Sequence, residues 1–358
     1  MLRRLKTRIA DALSIEVQGR IPWVDTARGL AIVLVVLFHS GLAARHLGSG
    51  QLAADYLRVS HIVDDMRMPL FFFCSGILAF WGLNKPWSVI LKKRIAVLLW
   101  VIFVWTIIYF VYEKIVPALA WGSRRHPLAE LFVVPLGTLW FMYAITGLSL
   151  LMRAIHSRSL PHQFAIVCFV NAGAIFALLM IDLGGYRLLM SNLARHAILC
   201  FAGGVWLAPV VTKLLATPRQ VIFFASLATV GLAIDVTLSI SVPLYESLPK
   251  IVQCAPKVLF GITFAALLAL WTPVQNMCEW LGSRTLEIFL LHTILIGVLV
   301  NALHGQDLTE NMALLIIFPT ALVSSIICEQ LAGRLGFGLL FRPPARLSWR
   351  AERAPQLT

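Results

Sequence analysis

The stretch Asp25-Thr26-Ala27-Arg28-Gly29-Leu30-Ala31-Ile32-Val33-Leu34-Val35-Val36-Leu37-Phe38-His39-Ser40 decides the fold. Between Gly29 and Phe38 it is unbroken and apolar, with no polar alternation, so it reads as a helix through lipid and not as a barrel strand. The same texture recurs outward from it. Apolar runs cover 27–44, 66–83, 90–112, 132–152, 163–182, 196–215, 220–240, 254–271, 285–303 and 312–332. Each approaches the about 20 residues that a crossing helix needs. The expected fold is therefore all-α, a polytopic membrane bundle of about ten transmembrane helices. Composition agrees: of 358 residues, 59% are hydrophobic and 13% charged. Soluble domains carry about a quarter charged residues, so an ordinary soluble enzyme is excluded, and abundant apolar surface excludes disorder.

Three regions follow. Residues 1–26 form a basic cytoplasmic segment, 27–332 the transmembrane domain, and 333–358 a basic cytoplasmic tail. No small-residue cleavage pattern follows the basic N-terminus, so the first helix is expected to stay uncleaved. The longest loops, 45–65 and 113–131, are too short for a separate domain, so any chemistry must come from the bundle.

Lys and Arg total 30 against 17 Asp and Glu, a net charge of +13. With both termini inside, 19 of the cations fall on the cytoplasmic side, 10 on the outer side, and Arg28 within the first span. That is the positive-inside pattern. The basic excess is read as orientation and contact with anionic lipids, not as nucleic-acid binding. Six cysteines show no CxxC spacing, so neither a metal site nor a disulfide framework is supported.

An ionisable group at mid-membrane costs about 2.5 kcal/mol or more, so each one needs a reason. Arg28 and His39 are eleven residues apart, which on a helix is about 16.5 Å along the axis and only some 20° out of register. One face thus carries a cation near the inner surface and an imidazole deeper in. Imidazole is the side chain best suited to proton transfer near neutral pH. The second run opens Arg67-Met68-Pro69-Leu70-Phe71-Phe72-Phe73-Cys74-Ser75-Gly76, with Pro69 expected in an early helical turn. The ninth opens Arg284-Thr285-Leu286-Glu287-Ile288-Phe289-Leu290-Leu291-His292, placing His292 at a depth comparable with His39 and Ser75. Glu287 lies about 140° around that helix from His292. Asp235 and Glu329 are weaker candidates, with Asp235 expected to reach water near the outer end. Trp140 fits the aromatic belt at a helix start, or stacking on a sugar ring.

These stretches resemble the membrane-bound acyltransferase family 3, and within it the fucose 4-O-acetylase-like group. Trp23-Val24-Asp25-Thr26-Ala27-Arg28-Gly29 looks like the family's first-helix opening, and Arg28 with His39 matches its Arg-x10-His motif. Met68 to Gly76 is similar to its MPLFFxxSG signature, Leu139-Trp140-Phe141 to its LWF element, and Thr285 to His292 to its terminal (I/Y)xxH element. The chain departs from the pattern in two places. The basic pair after the second span is only Lys92-Lys93-Arg94, with Val97 where a second Arg would fall, and Arg67 stands where the group often has His.

The resemblance implies an integral O-acyltransferase in the bacterial cytoplasmic membrane. It would move an acyl group, usually acetyl from acetyl-CoA, to a hydroxyl of a carbohydrate, including a lipid-linked glycan. By it, Arg28 with Lys92, Lys93 and Arg94 holds the donor, and His39 is the general base or handles the acyl group. Ser75, His292, Trp140, Glu287 and Arg67 shape the site, and no metal is implied. The competing class is a transporter or flippase of a glycan or proton-coupled substrate, since intramembrane Arg and His also mark ion paths. The inverted repeats frequent in transporters are not evident here.

Overall fold

A computed structural model describes residues 21–47, 54–116, 131, 132 and 134–344. Most of the two basic terminal segments, residues 48–53 and residues 117–130 lie outside the described residues, and much of the expected loop 45–65 is helix. Within them, ten helices are long and apolar enough to cross a membrane, and no strand occurs. In chain order the helices are α1 (Pro22–Leu47), α2 (Ala54–Leu83), α3 (Trp87–Ile115), α4 (Trp140–Ile155), α5 (Leu160–Met180), α6 (Gly184–Leu214), α7 (Pro218–Ser241), α8 (Lys250–Leu268), α9 (Thr272–Gly282), α10 (Thr285–Leu303) and α11 (Glu310–Arg334). All but α9 can span.

Helix α1 is the hub, packed against α2, α8, α9, α10 and α11. Its small residues Ala27, Gly29, Ala31 and Ala44 are buried, which lets neighbouring backbones approach closely. The peripheral helices turn large apolar side chains outward instead: Phe169 on α5, Ile240 on α7 and Leu315 on α11 are mostly exposed, as lipid contact requires. Helices α2 and α6 cross in close backbone contact. A Cβ at Gly76 would meet the Phe201 carbonyl oxygen at 2.1 Å, and one at Gly204 would meet that of Phe73 at 2.1 Å. Replacing Gly204 with alanine must push two backbones apart. The expected loss is about 3 kcal/mol, measurable as a lower melting temperature in detergent.

Beyond α11, the turn Phe337–Leu340 folds back on α3. The indoles of Trp100 and Trp105 donate to the carbonyls of Leu339 and Leu340, each at 2.8 Å. In an apolar setting such exposed carbonyls must find donors.

Several expectations need correction. Helix α2 begins eleven residues before its apolar window, so Pro69 lies inside the helix and not in its first turn. Helix α6 likewise starts at Gly184, well before the expected 196. In both, the chain continues the helix through residues polar enough to fall outside an apolar window. Each of α3 and α6 contains one wider π turn, Leu91–Ile95 and Leu193–Ala197.

Asp235 does not reach water. It is 2% exposed, because Lys257 on α8 brings an ammonium within 2.9 Å of it. Lys257 also lies 3.6 Å from Asp65 on α2, and Tyr245 donates to Asp235. Burial, and then the Asp235 carboxylate, push the Tyr245 phenol well above its ordinary range. This ionic clamp ties α2, α7 and α8 together two residues from Arg67.

Candidate active site

Two cavities open on opposite sides of an aromatic wall. One, of about 200 Å³, is lined by Arg28, Ser75, Arg94, Phe141, Thr285 and Phe289 among others. The other, of about 430 Å³, is lined by His39, Arg67, Tyr109, Glu113, Trp140, Asn192, Phe289 and Thr293 among others. The eleven-residue offset along α1 therefore spans from one cavity to the other.

At the Arg28 end, the guanidinium is fixed from two helices. It donates to Thr285 Oγ1 on α10 at 2.7 Å and to Asp25 Oδ1 at 3.3 Å. Thr285 is itself buried and donates to the Gly282 carbonyl at 3.2 Å. The π turn in α3 aims Arg94 at the cavity while Lys92 and Lys93 remain exposed outside it. Two guanidiniums beside apolar walls suit an anionic, partly aliphatic ligand.

At the other end the two histidines meet. His292 Nε2 lies 3.1 Å from His39 Nδ1. The backbone sets their tautomers. His292 Nδ1 is 3.1 Å from the Ile288 carbonyl and His39 Nδ1 is 2.9 Å from the Val35 carbonyl. A carbonyl only accepts, so both Nδ1 atoms carry hydrogen. His39 Nδ1–H is then shared between Val35 and the His292 Nε2 lone pair. The His39 Nε2 position is left as a lone pair, the form a general base needs. His292 is fully buried and lies behind His39, out of reach of the cavity.

The remaining site candidates sort as follows. Arg67 lines the His39 cavity, its guanidinium 3.6 Å over the Phe38 ring. Trp140 also lines it and is only 8% exposed, so it is not in an aromatic belt at the lipid interface. The tight turn Gly137–Leu139, entered through Gly137 at φ +49°, swings it inward. Ser75 does not join the histidines. It lies eight residues past Arg67 on α2, about 12 Å farther along the axis, and so reaches the Arg28 cavity. Glu287 lies outside both cavities, on the side of Glu329, Arg342 and Arg284. Glu329 pairs with Arg284 at 3.1 Å.

Sequence reasoning missed Tyr109, Glu113, Thr138, Asn192 and Thr293. The Tyr109 hydroxyl donates to the Leu290 carbonyl at 3.0 Å and contacts Thr293 Oγ1 at 2.6 Å and Thr138 Oγ1 at 3.1 Å, bracing α10 behind the histidines. Glu113 has a buried Oε2 without a hydrogen-bond partner among the described residues. The polar interruption at Tyr109, Tyr112 and Glu113 near the end of the third apolar run was the available signal. Among the described residues, no three His, Cys, Asp or Glu side chains converge as metal ligands.

Comparison with known proteins adds an independent finding. A family model described as an acyltransferase domain matches residues 21–330. Inner membrane protein YcfT of Escherichia coli (strain K12) is 24% identical, the alignment covering 90% of this chain and 96% of that one. No solved structure matches the chain.

Proposed function

The chain belongs to the acyltransferase family whose domain covers residues 21–330, and from that premise we propose that it moves an acetyl group from acetyl-CoA to a carbohydrate hydroxyl. The observation that carries this reading is the His39–His292 pair, with His39 lining a cavity large enough for a sugar ring. The Arg28 end faces the cytoplasm in this reading, in accord with the basic loops on that side, and both termini lie there too. The membrane is the bacterial cytoplasmic one, in keeping with the printed name of the YcfT relative. The acceptor is a surface or secreted glycan of the kind used by the fucose 4-O-acetylase-like group, including a lipid-linked one.

The chemistry needs no metal. His39 Nε2 takes the proton of the acceptor hydroxyl as its oxygen attacks the thioester carbonyl. A C–O bond forms, the C–S bond breaks, and the proton passes from His39 to the departing thiolate. His292 Nε2, with the Val35 carbonyl, accepts from His39 Nδ1–H and so keeps the proton that moves on Nε2. Arg28 and Arg94 hold the donor's anionic groups, and Arg67, Glu113, Trp140 and Asn192 line the acceptor side.

Acetyl-CoA should raise the melting temperature of the purified protein in detergent, as any ligand of the folded state does. Arg28→Ala should reduce that rise severalfold. A transporter of glycans would show no stabilisation by acetyl-CoA, and that result would sink the acyltransferase reading. Mass spectrometry of cell glycans with and without the protein identifies the acceptor.

A further inference from the structure

Among the described residues, Phe289 is the one side chain that lines both cavities. It is 3% exposed and closes the wall between them. Its ring lies 5.0 Å from that of Phe141, which in turn lies 4.8 Å from Phe71 and 5.0 Å from Phe72. On its other side it meets the His292 imidazole at 5.7 Å. The wall is thus made of rings, with the Arg28 cavity on one side and His39 on the other.

A ring buried in a well-packed interior has nowhere to go, because core packing leaves few voids. Phe289 differs, since empty volume flanks it on both sides. Rotation about its side-chain torsions therefore has a cavity to carry the ring into. Its helix supports the same picture. Thr285, Phe289 and Thr293 are spaced by four, so one face of α10 runs from the Arg28 contact, past the wall, to the Tyr109 contact.

We infer that Phe289 is a gate: closed, it separates the two cavities, and open, it lets a narrow aliphatic thioester arm reach from the Arg28 side to His39. The identity of the arm rests on the proposed function; the gate itself does not. The closed form seals the bundle when no donor is bound, so the two aqueous sides are never joined by an open path. The open form exists only with the arm filling the gap.

Thiol labelling tests both parts. A Thr293→Cys reporter sits one turn beyond the wall, and a membrane-impermeant cationic thiosulfonate is added from the Arg28 side of oriented proteoliposomes, against the protein without the reporter. With Phe289 present, labelling should be slow. With Phe289→Ala it should rise by at least an order of magnitude, and with Phe289→Leu, a smaller change that spares packing, by an intermediate factor. Saturating acetyl-CoA should protect the reporter in the Phe289→Ala protein. Unchanged labelling in both variants overturns the gate. Faster labelling that acetyl-CoA leaves unprotected keeps the gate and overturns the donor reading. Near-normal melting temperatures in the variants confirm that labelling reports an opening and not unfolding.

Discussion

Replacing His39 with alanine is expected to lower acyl transfer by about 10²–10⁴-fold, the range that a positioned general base contributes. Membrane abundance should stay unchanged, because His39 is only partly buried and its ring fills the edge of a cavity and not the packed core. The measurement is the acetyl content of the acceptor glycan by mass spectrometry, alongside the protein level in membranes. Full acetylation by the variant would refute the assignment. Binding of acetyl-CoA should survive, since Arg28 and Arg94 line the other cavity. A loss of turnover with retained donor stabilisation is the signature that separates a base from a binding residue.

The second large effect concerns stability. Lys257→Met removes the ammonium that Asp235 meets at 2.9 Å and Asp65 at 3.6 Å. Asp235 is almost wholly buried and, among the described residues, would keep Tyr245 alone as a partner. Breaking a buried pair in this way costs about 3–5 kcal/mol, since the surviving charge is left uncompensated. The variant should melt far below the parent in detergent and accumulate poorly. Adding Asp235→Asn to it should recover part of the loss, because no buried charge then remains at that position. If Lys257→Met melts like the parent, the clamp contributes nothing. The clamp also bears on the site, for Asp65 and Arg67 are two residues apart on α2 and move together.

The bundle was legible because lipid demands long apolar runs, and these are continuous in the sequence. Helix ends were less so: α2 and α6 extend through polar residues that an apolar window excludes. The short helix α9 was missed for the same reason, as Gln275, Asn276 and Glu279 interrupt its apolar positions. The meeting of His39 and His292 was readable from depth, because both lie well inside long apolar runs. Ser75 was placed wrongly, since depth inferred from loop counts is coarse against a 12 Å offset along one helix. Lys257 escaped notice because it lies near the start of its run, where it reads as a loop cation. The common wall at Phe289 was beyond reach, because one Phe among many carries no mark of standing between two voids.

Helix α10 also has a mechanical consequence. It carries Thr285, which holds Arg28, and His292, whose Nδ1 is set by the Ile288 carbonyl of the same helix and whose Nε2 meets His39 Nδ1. These contacts ride on a single stiff rod spanning less than three turns. A slide or roll of that rod large enough to release Arg28 also breaks the 3.1 Å link between the imidazoles. In the proposed reaction, the grip on the donor and the hydrogen bond behind the base thus share one moving part.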